Sequence, residues 1–162
     1  MKKAKLGIAG ALTAACASLV AAPSAHAADP VRDRVNTVVN QQTGRCLDSD
    51  LQGNVYTKSC TADNPYQQWV PRGTGNEFRL ENVRTGLCLT VISDTEVRAL
   101  RCAANYYPQQ WYFTNYGGSN ALMNQKVSEA TSVALDSDDK GNVYLKLRTL
   151  NNRYQSWLFY RV

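Results

Sequence analysis

Two sets of residues in this chain have types and spacing suited to chemistry: Asp48, Tyr56 and Tyr66-Gln67, then Asp136, Tyr144 and Tyr154-Gln155, 88 residues further on. A carboxylate can accept hydrogen bonds from two neighbouring hydroxyls, and such charge-assisted bonds are the stronger kind. A tyrosine ring offers an apolar face to C–H groups, and its hydroxyl supplies a polar rim. Together they equip a pocket for a polyhydroxylated ligand. An amide completes each set: Gln67 or Asn64 in the first, Gln155 or Asn151 in the second. The bland alternative is that Asp48 and Asp136, which follow turns, satisfy local backbone N–H groups.

Catalysis and metal binding fit these residues poorly. Asp48 and Asp50 lie i, i+2 within one turn, whereas glycoside hydrolysis needs two carboxyls flanking a scissile bond. The run Asp136-Ser137-Asp138-Asp139-Lys140-Gly141 resembles a calcium loop at first sight. Lys140 at the fifth position and Leu147 at the twelfth defeat the ligand count. The only histidine, His26, lies in the N-terminal leader, so a mature domain could not run a Ser-His-Asp or Cys-His mechanism. No enzyme activity, cofactor or metal is expected.

The leader itself is Met1-Lys2-Lys3-Ala4-Lys5, a small apolar run from Leu6 to Val20, and Ala25-His26-Ala27 as an A-x-A cleavage site. Residues 1–27 therefore read as a secretory signal peptide, too short and alanine-rich for a membrane span. Residues 28–162 read as one secreted domain. Lys2, Lys3 and Lys5 leave with the leader, taking more than half of the formal charge of +5. No basic stripe remains to follow a phosphate backbone, so nucleic acid is not an expected partner. Four cysteines stay behind, an even number suited to an oxidising compartment. Three connectivities are open to them. Cys46/Cys60 and Cys88/Cys102 each lie 14 apart at equivalent places in a repeat, which selects two local bridges.

That repeat organises everything else. Leu47-Asp48-Ser49-Asp50, Gly53-Asn54-Val55-Tyr56 and Tyr66-Gln67-Gln68-Trp69 recur with every spacing kept as Leu135-Asp136-Ser137-Asp138, Gly141-Asn142-Val143-Tyr144 and Tyr154-Gln155-Ser156-Trp157. Between them, offset by 42, runs a worn copy: Cys88-Leu89-Thr90, Glu96-Val97-Arg98 and Pro108-Gln109-Gln110-Trp111. The three units span about 35–72, 73–118 and 119–162. Short β-branched runs begin them at Val35–Asn40, Phe78–Val83 and Ala121–Val127, and turn-rich linkers separate them. No helical periodicity is sustained, so the chain reads as all-β. Alternation along Val143–Arg148 places Val143, Leu145 and Leu147 inward, and the matching strand places Val55, Thr57 and Ser59 inward. Each unit closes on Gln-x-Trp, read as a strand. Trp69, Trp111 and Trp157 are expected as core wedges, each beside a buried glutamine that needs partners.

Three units of this length, each closing on Gln-x-Trp and two carrying a cysteine pair, resemble the ricin B-chain-type β-trefoil lectins, and the likeness covers residues 28–162. The resemblance implies a β-trefoil with pseudo-threefold symmetry, in which three four-stranded units form a short barrel capped by hairpins. The wording of the first unit is most similar to mannose-binding members. It implies one shallow saccharide pocket per unit, built from the Asp, the Asn-Val-Tyr tyrosine and the closing Tyr-Gln. Thr90, Arg98 and Pro108 replace all three in the middle unit, so two working pockets and one dead one are expected. The expected partner is a glycan of mannose type, engaged at two sites. The alternative is a protein-interaction module, with Arg98, Leu100, Tyr106 and Tyr107 of the worn unit as its docking face.

Overall fold

A computed structural model describes residues 29–116, 120–124 and 133–162. The expected signal peptide lies outside the described residues, as does the chain from Gln125 to Ser132, which includes the end of the expected run Ala121–Val127. The twelve strands are β1 (Asn36–Asn40), β2 (Cys46–Ser49), β3 (Val55–Lys58), β4 (Gln68–Arg72), β5 (Glu77–Asn82), β6 (Leu87–Val91), β7 (Val97–Arg101), β8 (Trp111–Thr114), β9 (Ala121–Asn124), β10 (Val133–Ser137), β11 (Val143–Leu147) and β12 (Trp157–Arg161).

Strand pairing makes a β-trefoil. A six-stranded barrel runs β12-β1-β4-β5-β8-β9, all antiparallel. It closes where Trp157 N–H donates to Asn120 O at 2.8 Å, beside a bridge between Ala121 and Ser156. Three hairpins, β2–β3, β6–β7 and β10–β11, cap it. Closing the sheet leaves the barrel strands no free edge.

The tryptophans are fully buried in one core with Val38, Leu80, Leu122 and Phe159. Each satisfies its indole N–H on the carbonyl 22 residues before it: Trp69 on Leu47 O at 2.9 Å, Trp111 on Leu89 O at 2.8 Å and Trp157 on Leu135 O at 2.9 Å. The closing motif is not a strand throughout, however. The glutamine ends a one-turn 3-10 helix, at 65–67, 107–109 and 153–155, before the strand begins. Glutamine and tryptophan are both buried, but by a turn-to-strand step.

The disulfides join Cys46 to Cys60 and Cys88 to Cys102. In the third repeat, Ala134 instead packs with Ala121, Met123 and Tyr112, and Arg148 donates to Tyr116 O. Alternation fails at two positions at the hairpin ends. Ser59 is exposed and Leu147 is 61% exposed, because the barrel no longer lies beneath the last residues of these strands.

Around the pseudo-threefold axis each repeat holds its neighbour. Thr57 N–H donates to Gly141 O at 2.8 Å, Ala99 N–H to Gly53 O at 2.9 Å and Leu145 N–H to Thr95 O at 3.4 Å. Glycine is required at two of these contacts. A Cβ on Gly53 would lie 2.3 Å from Ala99 O, and one on Gly141 would lie 2.6 Å from Thr57 O. Both also take positive φ, 77° and 95°.

Candidate functional site

Two of the three hairpins place a carboxylate opposite a tyrosine. Asp48 pairs with Tyr56 across β2–β3, and Asp136 with Tyr144 across β10–β11. Both aspartates are nearly buried, at 3% and 2% exposure. The 3-10 turn of the same repeat brings the second tyrosine to the rim. The first repeat thus holds a cleft of about 430 Å³, with Asp48, Tyr56, Asn64 and Tyr66 in its lining. The third holds a smaller one of about 190 Å³, with Asp136, Tyr144, Asn152 and Tyr154.

The glutamines are held by hydrogen bonds inside the protein. Gln67 is buried, and its Nε2 donates to Asp48 Oδ2 and to Ser59 O, both at 3.0 Å, while Oε1 accepts from Thr61 N–H at 2.9 Å. Its donors are spent inside the protein, where it orients Asp48 while lining the floor of the cleft. Gln155 likewise donates to Leu147 O at 2.8 Å and accepts from Thr149 N–H at 2.8 Å. Asp136 Oδ2 is buried without a hydrogen-bond partner among the described residues. Burial holds the Asp136 carboxyl above its ordinary pKa, although Gln155, Lys146 and Tyr144 act in the opposite direction. Burial, with Asp48 and Asp50 alongside, pushes the Tyr56 hydroxyl up to about 12. Tyr144 is raised for the same reasons by Asp136 and Asp138. Both phenols keep their protons, and so remain donors, across the physiological range.

One expected residue is displaced. Asn151 sits in the turn with φ of 59°, matching Asp63 at 55°, and does not line the cleft. Asn152 is the counterpart of Asn64: each accepts from the N–H of its rim tyrosine at 3.1 Å and caps the 3-10 turn. The offset of 88 that maps Asp48 onto Asp136 also maps Asn64 onto Asn152, so the repeat carried this correction. The bland role imagined for Asp48 and Asp136 falls two residues on. Asp50 accepts from Gln52 N–H, Asn54 N–H and Asn54 Nδ2, at 2.7–3.0 Å, and Asp138 does the same with Lys140 and Asn142. These bonds hold the Asp138 carboxyl below its ordinary pKa, the Asn142 side chain contributing most; at Asp50 slight burial opposes them and they prevail.

Sequence reasoning also missed a ring of buried asparagines, Asn40, Asn82 and Asn124, spaced by 42. Each donates to a backbone carbonyl in the closing turn of the preceding repeat: Tyr154 O at 2.7 Å, Tyr66 O at 2.7 Å and Pro108 O at 3.1 Å. They fix the turn that carries the rim tyrosine. Their regular offset was the available signal.

The middle repeat keeps the framework and lacks the pocket. Gln109 Nε2 donates to Thr90 Oγ1 at 3.0 Å where Gln67 meets a carboxylate. Arg98, at the tyrosine position, is not a free docking residue. Its guanidinium donates to Gly53 O at 3.1 Å and Gln52 O at 3.0 Å, tying down the loop that lines the first cleft. Leu100, Tyr106 and Tyr107 are exposed.

A trefoil whose hairpins present carboxylate–tyrosine clefts defines the class, and comparison supplies the family. Residues 34–157 match the ricin-type beta-trefoil lectin domain, and the chain belongs to that family. Glycan binding is what membership implies. Among solved structures, a designed threefold-symmetric protein, ThreeFoil, is similar over 79% of this chain and 99% of its own, at 20% identity and a TM-score of 0.67. A GlcNAcα1-4Gal-releasing endo-β-galactosidase from Clostridium perfringens is similar over 80% of this chain but only 32% of its own, at 16% identity and a TM-score of 0.69. At these identities both share the fold.

Proposed function

We propose that this protein is a secreted, non-catalytic lectin that binds glycans through the clefts of the first and third repeats. The observation that carries the reading is the pair of clefts, each with a nearly buried aspartate beneath two tyrosines. Against catalysis, the other carboxylates of the clefts are engaged, Asp50 and Asp138 by their own loops and Asp139 by Tyr154.

Mannose-type glycans are the first class to test, because the first unit is worded much like the repeat of actinohivin, a small mannose-binding trefoil. A single shallow cleft should bind weakly, with a Kd on the order of 1 mM. Two on one rigid body gain avidity on a multivalent surface. The test is a glycan array probed with residues 28–162, disulfides intact, beside the Asp48→Ala/Asp136→Ala double variant. Signal on mannose-rich glycans that disappears in the double variant supports the reading. Signal that survives refutes these clefts, and a folded protein silent on every glycan refutes the lectin.

A further inference from the structure

The two clefts hold their rim tyrosines with opposite polarity. Tyr66 Oη accepts from Arg84 Nε at 3.4 Å, and the guanidinium lies 5.7 Å from the ring centroid. Tyr154 Oη instead donates to Asp139 Oδ2 at 3.0 Å. A phenol has one hydrogen to give. In the first cleft that hydrogen is free for a ligand. In the third it is committed, and only lone pairs face outward. The cause is two differences between equivalent positions: Leu51 of the first repeat stands where the third has Asp139, and Arg84, beside Tyr66, has Gln42 of the first repeat as its counterpart, 42 residues earlier.

The charge follows the same division. Asp136, Asp138 and Asp139 line the third cleft against one cation, Lys146. Asp48 and Asp50 line the first with Lys58, and Arg84 adds a second cation at its tyrosine. A guanidinium also backs each loop, Arg98 behind Gln52 and Gly53, and Arg45 on Asp139 O at 3.1 Å, so that contribution is common to both. The first cleft is balanced and the third is net negative. Asp136, 2% exposed, lies beneath that cleft's rim and adds its negative charge to it. Among the described residues no three acidic, histidine or cysteine side chains converge to hold a metal ion. A cleft of acceptors with few donors suits a cation that brings its own hydrogens.

We propose that the third cleft prefers a saccharide bearing a free amine, a hexosamine whose ammonium and adjacent hydroxyl replace a vicinal diol, while the first takes neutral or N-acylated sugars. The assignment rests on the carbohydrate-binding reading and makes Asp139 a specificity-determining residue. An ammonium has three donors and no acceptor, which matches this rim, and its bonds to carboxylates are charge-assisted. N-acetylation removes the charge and two of those hydrogens.

The experiment uses variants with one cleft each. Asp48→Ala leaves the third cleft and Asp136→Ala leaves the first. Calorimetric titration compares a β-1,4-linked glucosamine tetramer, its fully N-acetylated counterpart and a mannose oligosaccharide. The Asp48→Ala protein should bind the free amine about tenfold more tightly than the acetylated form. Adding Asp139→Leu should bring that ratio to about one, and Leu51→Asp in the Asp136→Ala protein should raise its ratio above one. Equal binding of the two tetramers by Asp48→Ala, or a ratio that Asp139→Leu leaves unchanged, overturns the proposal while binding of the neutral sugars sustains the lectin reading. If neither single-cleft protein binds any of the three, both readings fall together.

Discussion

The middle repeat shares its closing frame with its two neighbours and differs from them in what its hairpin offers a ligand. Trp111 meets Leu89 O as Trp69 meets Leu47 O, and Gln109 makes the same backbone contacts as Gln67, to Arg101 O and Ala103 N–H. Only the side chain that the glutamine presents differs: a threonine hydroxyl in the middle, a carboxylate in the first repeat. A hydroxyl satisfies the glutamine and keeps the frame intact, but has no charge to hold a ligand. The scaffold and the cleft are thus separable. Arg98, where a cleft tyrosine would stand, serves the first cleft instead by holding its loop.

The sharpest way to break this comparison is at the frame. Trp111→Ala should cost about 3–5 kcal/mol in urea unfolding, as should Trp69→Ala. A cost below about 1 kcal/mol at Trp111 alone would mean that the middle repeat is not an equal part of the core. Next come the glutamines. Gln67→Ala and Gln109→Ala should each cost about 1–3 kcal/mol through unpaired backbone groups. Only Gln67→Ala should also weaken binding at the first cleft, because it releases Asp48; equal binding losses from both variants would argue against separability.

A smaller effect belongs to Arg98. Replacing it with alanine should weaken the first cleft by a few-fold, on the order of one lost charged hydrogen bond, and leave the third cleft as it was. Titration of the single-cleft variants reads this directly. The smallest effect is electrostatic. Below the ordinary carboxylate range, folded and unfolded chains both carry the Asp136 proton, so burial exacts nothing there. As pH rises through the elevated folded value, the folded state must bury the charge and loses stability. Asp136→Asn should therefore match wild type in acid and exceed it at neutral pH, while losing binding at the third cleft. Thermal melts across pH that run parallel for the two proteins would show that this carboxylate carries no such strain.

The fold was legible because its repeat is written in the chain. Three Gln-x-Trp closures specified the three buried tryptophans, and the cysteine spacing specified both bridges. The cleft was legible in outline, since Asp, Tyr and Tyr recur together. What escaped was local geometry. Period-two alternation assumes a core beneath the whole strand, and it failed at Ser59 and Leu147 where the barrel ends. The strand reading of Gln-x-Trp missed the 3-10 turn, and with it that Gln67 and Gln155 point inward. Arg98 was assigned to a docking face, because its partner carbonyls come from another repeat and no local pattern reports them. The different settings of Tyr66 and Tyr154 arise from Arg84 and Asp139, each outside the motif that defined the sites.

The last strand pairs with the first over its full length, Asn36 with Arg161 through Asn40 with Trp157, and Val162 N–H reaches Val35 O at 3.1 Å. The ends of the barrel therefore lie side by side, and the seam between them resembles those between repeats. A circular permutant joined across that seam and opened at the exposed turn 73–76 should keep every strand pair, both disulfides and both clefts. The order of the repeats along the chain is then incidental to the ring they form.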